Sequence, residues 1–103
     1  MTKTAVQYEE IIQICRDLFL KKAKDYGTSW RIMRTSSITD QLYIKAQRIR
    51  TLEETGVSKV GESITDEYIA IVNYCIIGMI QLELGNIPAS HSLNESIYTP
   101  RKI

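Results

Sequence analysis

Ten consecutive residues, Lys22-Ala23-Lys24-Asp25-Tyr26-Gly27-Thr28-Ser29-Trp30-Arg31, gather three cations, a carboxylate, two aromatic rings and two hydroxyls around one glycine. Cations beside aromatic rings suit a phosphate carried on a base or sugar, because charge holds one part of the ligand and stacking the other. Lys24 and Arg31 are the candidate phosphate ligands, Tyr26 and Trp30 the candidate stacking rings, and Asp25 a reserve carboxylate at the same mouth. The same residues also describe a helix C-terminus followed by a turn, with Trp30 as a core plug. Spacing leaves both readings open.

A second cluster follows at Asp40-Gln41-Leu42-Tyr43-Ile44-Lys45-Ala46-Gln47-Arg48. Gln41, Lys45 and Arg48 are spaced four and three apart, so one helix face carries them. That face borders an apolar stripe, and a cation beside a core requires an anion. The anion is either a carboxylate of another helix or a ligand phosphate.

The third cluster is Glu62-Ser63-Ile64-Thr65-Asp66-Glu67, with Asn73 further along the same helical pattern. Glu62, Asp66 and Asn73 fall four and seven apart, a spacing that lines hard oxygen donors on one face for Mg²⁺. Glu62 and Asp66 are therefore the candidate metal-binding and catalytic carboxylates. Ser63 and Asp66 also have capping-box spacing, and acids are favoured at a helix N-terminus without any metal. Asn73 on an apolar helix needs partners for its amide, either a ligand or a neighbouring helix. His91 sits in a polar stretch without an acid–base relay, and it is not a candidate catalyst.

The elements that must position these residues are helices. Apolar residues Tyr8, Ile11, Ile12, Cys15, Leu18, Phe19 and Ala23 follow one helical face from about Thr4 to Lys24, with Gly27 as its stop. A second helix is expected from about Ile38 to Glu54, capped by Ser36 or Ser37 and ended by Gly56. Its stripe is Ile38, Leu42, Ile49 and Leu52, with Lys45 inside it. The third helix is expected from about Ile64 to Leu84, ending at Gly85, and it is apolar almost all round from Tyr68 to Ile80. Three helices are too few to cover such an element, which predicts that a second copy covers it. Residues 86–103, with Pro88 and Pro100, carry no periodicity and read as an irregular tail after a helical domain over 1–85.

Composition limits the classes further. The 103 residues suit one domain, and 44% hydrophobic with 24% charged residues argue against disorder. A net charge of +1 does not announce a nucleic-acid binder. The charge is nonetheless uneven: nine Lys/Arg against three acids between Arg16 and Arg50, then three against seven from Thr51 onward. Two cysteines and one histidine do not make a four-ligand structural zinc site. Cys15 and Cys75 each lie in an apolar run and read as reduced, buried thiols. No signal-peptide pattern opens the chain, and Asn73 and Gln81 interrupt the greasiest stretch, so the expectation is a cytoplasmic protein with no membrane partner.

Taken in order, KKAKDYGTSWRI, SSITDQLYIKAQRIRTLEE and ESITDEYIAIVNYCIIGMIQLEL resemble the nucleotide modification associated domain family, type one. The resemblance spans about Tyr8 to Leu84. It implies a bacterial or phage-related helical domain linked to nucleotide or modified-base metabolism. A more distant similarity is to the MazG-like all-alpha nucleotide pyrophosphohydrolases, whose Mg²⁺-binding acids and asparagine match Glu62, Asp66 and Asn73. The chain departs from that pattern at Ser63, where those enzymes have a second acid, and it has no Glu-x-x-Glu on an earlier helix. Phage-like relatives tend to carry Asp where Ala70 stands.

The resulting expectation is an all-α fold, three principal helices in a MazG-like bundle completed by dimerisation. It would bind a nucleotide or modified nucleotide through Lys24, Asp25, Tyr26, Trp30, Arg31, Gln41, Lys45, Arg48 and Asn73. The distant similarity adds Mg²⁺-dependent pyrophosphohydrolysis at Glu62 and Asp66. The alternatives are a non-catalytic oligomerisation module and a DNA-modification accessory that contacts nucleic acid.

Overall fold

The computed structural model describes residues 2–27, 29–56 and 63–85, without the side chain of Tyr26. Three helices, α1 (Lys3–Tyr26), α2 (Thr35–Thr55) and α3 (Ile64–Leu84), are joined in part by a 3₁₀ turn over Ser29–Ile32. No strand occurs among the described residues. The all-α expectation therefore holds, and the boundaries of α3 fall where its pattern placed them.

Local chemistry sets most of the ends. The Thr2 hydroxyl accepts from Ala5 N–H at 3.2 Å and opens α1. At α3, Ser63 Oγ accepts from Asp66 N–H at 3.1 Å, while Asp66 Oδ2 accepts from Ser63 N–H at 3.3 Å. This reciprocal pair is a capping box with Asp in place of the usual Glu or Gln. Gly56 ends α2 with φ 67° and ψ 9°, a left-handed conformation that side chains with a Cβ resist, and its N–H bonds to Leu52 O at 2.8 Å. One expectation fails here: α2 starts at Thr35 with Arg34 in the cap position and no side-chain cap, so neither Ser36 nor Ser37 caps it. Both serines lie inside the first turn.

α2 and α3 form the main packed pair and run antiparallel. Near the start of α2, Ile38 Cγ2 stands 3.6 Å from where a Cβ on Gly78 would be, close to the end of α3. Farther along α2, Lys45 meets Glu67 in the first turns of α3. Cys15, Ile38, Ile49 and Ile77 form the fully buried apolar centre. Arg31, Glu67 and Gln81 are buried with them. A polar trio of this kind must be satisfied or filled, because each unpaired group costs its desolvation.

Two expectations about burial are corrected. Cys75 is exposed, and so are Tyr8 and Ile11 at the front of the α1 stripe. On α3, Tyr68, Met79 and Leu82 also stand in solvent, the last two at 71% and 75% exposure. Tyr68, Cys75, Met79 and Leu82 are spaced seven, four and three apart, which places them on one stripe. The inward stripe runs through Glu67, Ala70, Tyr74, Ile77 and Gln81, roughly opposite on the helical wheel. α3 is long and apolar enough to cross a membrane by length and composition, with a mean hydropathy of 1.3, and only 22% of that window is buried within the chain.

Candidate functional site

α1, α3 and the 3₁₀ turn line, with one lysine of α2, a half-open cavity of about 720 Å³. That volume suits a small organic ligand. Phe19, Trp30 and Tyr74 supply aromatic wall, and Leu18, Met33 and Ile77 supply aliphatic wall. Phe19 and Trp30 rings lie 6.0 Å apart with planes inclined by 59°, a tilted contact that sets both rings. The polar lining is Lys22 from α1, Ser29 from the turn, Lys45 from α2, and Asp66, Glu67 and Asn73 from α3.

Glu67 dominates the electrostatics. Its side chain is 2% exposed, and its Oε2 stands 3.2 Å from Lys45 Nζ. Arg48 Nη1 lies 3.9 Å from Oε1, with its own side chain half in solvent. Lys45 on the α2 seam is therefore answered by a carboxylate of the third helix. The pair is a close ion contact between α2 and α3, and its carboxylate is withdrawn from solvent. Asn73 Nδ2 donates to Cys15 O at 3.0 Å, tying α3 to α1, while the buried Oδ1 accepts nothing among the described residues.

The opposite end of α3 uses its polar groups differently. Gln81 Nε2 lies 3.2, 2.8 and 2.7 Å from the carbonyls of Trp30, Arg31 and Met33, and so pins the 3₁₀ turn to α3. Arg31 Nη1 donates to Gly85 O at 3.0 Å, neutralising the negative end of α3, and its guanidinium lies 5.9 Å from the Trp30 ring centroid.

The candidate residues therefore divide. Trp30, Lys45, Asp66 and Asn73 come together on the cavity wall. Arg31 is corrected: it is 2% exposed and spent on the α3 terminus, so it does not present its charge to a phosphate. Lys24 and Asp25 are exposed and Gln41 half-buried, and none of the three lines the cavity. Arg48 stands outside the lining, beside Glu67. Glu62, the Tyr26 side chain and the tail 86–103 lie outside the described residues.

Reading by spacing missed Lys22, Glu67, Tyr74 and Gln81 as a set. Glu67 had a signal: it falls on the inward stripe of α3, directly across from the seam that carries Lys45. Among the described residues no three His, Cys, Asp or Glu side chains cluster as a metal site. Asp66 Oδ2 is engaged by the capping box, and none of the described hydrogen bonds uses its Oδ1.

Residues 22–82 match the family described as Nucleotide modification associated domain 1, which is more than half of the chain. The chain belongs to that family. The matched span opens at Lys22 and closes just past Gln81, so every polar residue of the cavity wall lies inside it. No curated protein and no solved structure matches the chain. Membership in the Nucleotide modification associated domain 1 family links the domain to nucleotide modification by description.

Proposed function

We propose that this domain binds a nucleotide in the cavity between α1, the 3₁₀ turn and α3. The observation that carries the reading is the composition of the wall: three aromatic side chains line one space with a lysine of α1. In this reading Trp30, Phe19 or Tyr74 packs on the base, and Lys22 meets the phosphates. Lys45 stays with Glu67, and Arg48 guards the same carboxylate. The family description supports a nucleotide as the class of ligand.

Magnesium enters this reading with the phosphates. A nucleotide-borne Mg²⁺ keeps several waters and needs only one or two protein carboxylates. Asp66 through Oδ1, with Glu62, would provide them. The pyrophosphohydrolase activity implied by the distant similarity predicts a nucleoside monophosphate and pyrophosphate from a triphosphate when Mg²⁺ is present. Isothermal titration with nucleoside mono- and triphosphates, with and without Mg²⁺, tests the binding. Saturable binding that survives 200 mM salt supports an enclosed site, whereas affinity that collapses between about 50 and 200 mM salt indicates phosphate-backbone contacts and a nucleic-acid partner. Absence of binding in a folded protein overturns the reading and leaves an oligomerisation module.

The exposed α3 stripe supports a second copy as the partner. Tyr68, Cys75, Met79 and Leu82 have the seven-, four- and three-residue spacing of a helix–helix seam, which is self-complementary across a two-fold axis. Such a dimer, in the cytoplasm, covers the apolar surface that the chain alone leaves open. Met79→Glu with Leu82→Glu is expected to convert a dimer to a monomer in size-exclusion chromatography with light scattering. A wild-type monomer, or wild-type protein that floats with liposomes, overturns it.

A further inference from the structure

The inward stripe of α1 outruns the cover that the chain gives it. Tyr8, Ile11 and Cys15 are spaced three and four apart and share one face of the helix. Cys15 is 1% exposed and its carbonyl accepts from Asn73 of α3 at 3.0 Å, which marks where α1 meets α3. One turn earlier Ile11 is already 57% exposed, and Tyr8 is 65% exposed. Asn73 is in the middle of α3, with Ile64 about 14 Å to one side and Leu84 about 16 Å to the other. α1 therefore does not run off an end of α3 within one turn; it crosses α3 and leaves sideways. Beyond the crossing, Leu18, Phe19 and Lys22 line the cavity with Lys45 of α2, so that half of α1 lies on the α2 side. The front half overhangs the other flank of α3.

That flank is apolar and open. Ile76 sits about 60° round the helix from Asn73, away from Glu67 and Gly78 on the α2 side, and Met79 about 60° farther. They are 38% and 71% exposed. We propose that α3 of a second copy fills the notch between this flank and the overhang, so that α1 of each copy clasps α3 of the other. The inference rests on the second copy proposed above and adds α1 to its interface. Packed helices lie about 8–10 Å apart, axis to axis. Tyr8 stands seven residues before Cys15, about 10 Å along α1, which sets it over a helix packed beside α3. Area favours the same occupant. A stable interface buries roughly 800 Å² on each partner, and a partly exposed apolar side chain offers on the order of 100 Å². Tyr68, Cys75, Met79 and Leu82 alone supply about half of that, and Tyr8, Ile11 and Ile76 supply most of the rest. Glu83, exposed on the same flank, argues against a lipid surface, where a carboxylate is costly.

Light scattering after size exclusion, over a dilution series, reads the dimer dissociation constant. Tyr8→Glu with Ile11→Glu is expected to raise it at least about 100-fold, with unchanged helix content by circular dichroism, because neither side chain is buried in the single chain. Tyr8→Ser with Ile11→Ser, a milder pair that serves should the first not fold, is expected to raise it at least about tenfold. Leu20→Glu, at a position 54% exposed on the far side of α1, should leave it within about threefold. Tyr8 and Ile11 variants as dimeric as wild type overturn the clasp and leave the α3 seam standing. Weakening by Leu20→Glu equal to that of the pair also overturns the clasp, since the effect is then not confined to the underside of α1. A wild-type monomer, or wild type that floats with liposomes, overturns the second-copy reading itself.

Discussion

The two ends of α3 both bury polar side chains and set them against different partners. At the C-terminal end, the Gln81 amide nitrogen sits among three carbonyls of the 3₁₀ turn, and Arg31 donates to the Gly85 carbonyl. Nearer the N-terminal end, the Glu67 carboxylate meets the Lys45 ammonium of α2, while Asn73, like Gln81, donates its amide to a backbone carbonyl. The first arrangement holds the backbone of the turn in place. The second joins α3 to α2 by a charge pair and to α1 by one amide, beside a cavity. The difference teaches that burial of a polar group does not by itself mark a ligand site, since both ends give polar atoms to partners within the chain.

Removing one member of the Lys45–Glu67 pair should give the largest effect. Glu67→Ala leaves a half-buried ammonium without its carboxylate, and a loss of about 3 kcal/mol is expected in urea unfolding. Replacing both partners, Lys45→Met with Glu67→Leu, sharpens the comparison. Apolar groups in place of a buried pair are often neutral or stabilising, so stability should recover to near wild type. A double variant as unstable as Glu67→Ala would show that the pair does more than balance charge between α2 and α3.

Gln81→Ala comes next. It strips donors from the turn carbonyls and should cost about 2–3 kcal/mol, read as a fall in Tm of roughly 10 °C or more. For a folded fraction, nucleotide affinity should persist, because Gln81 does not line the cavity. Lost affinity with retained fold would break the division of labour between the ends.

Asp66→Asn has a smaller expected cost, about 1 kcal/mol, from weakening the capping box and the charge at the helix N-terminus. Its sharper readout is magnesium: the Mg²⁺-dependent increment in nucleotide affinity should vanish. An unchanged increment removes Asp66 from the proposed metal site. Lys22→Ala should change stability by less than about 0.5 kcal/mol, since its side chain is exposed, and should weaken triphosphate binding more than monophosphate binding. Equal weakening of both would place Lys22 away from the terminal phosphates.

Helix existence and the α3 caps were legible from spacing because they depend on residues within four positions of one another. Ser63 and Asp66 meet through one turn of backbone, as do Gly56 and Leu52. Lys45 was legible as a cation in need of an anion, because it interrupts an apolar stripe at helical period. Arg31 was misread as a phosphate ligand, since its sequence neighbours gave no sign of the carbonyl of Gly85, 54 residues away. Exposure of Tyr8, Ile11 and Cys75 was equally hidden: periodicity identifies an apolar face but not which neighbour, within the chain or on another copy, covers it.

By itself, then, the sequence determined three helices, most of their ends, the seam on which Lys45 lies and the family to which the order of motifs belongs. Those features rest on local backbone hydrogen bonding and on the 3.6-residue period. Only the tertiary structure decided that Glu67 answers Lys45, that Arg31 and Gln81 tie the turn to the end of α3, and that Phe19, Trp30 and Tyr74 share one cavity. Such contacts join distant stretches of chain, and their partners are chosen by how helices pack and what burial then demands of each polar atom.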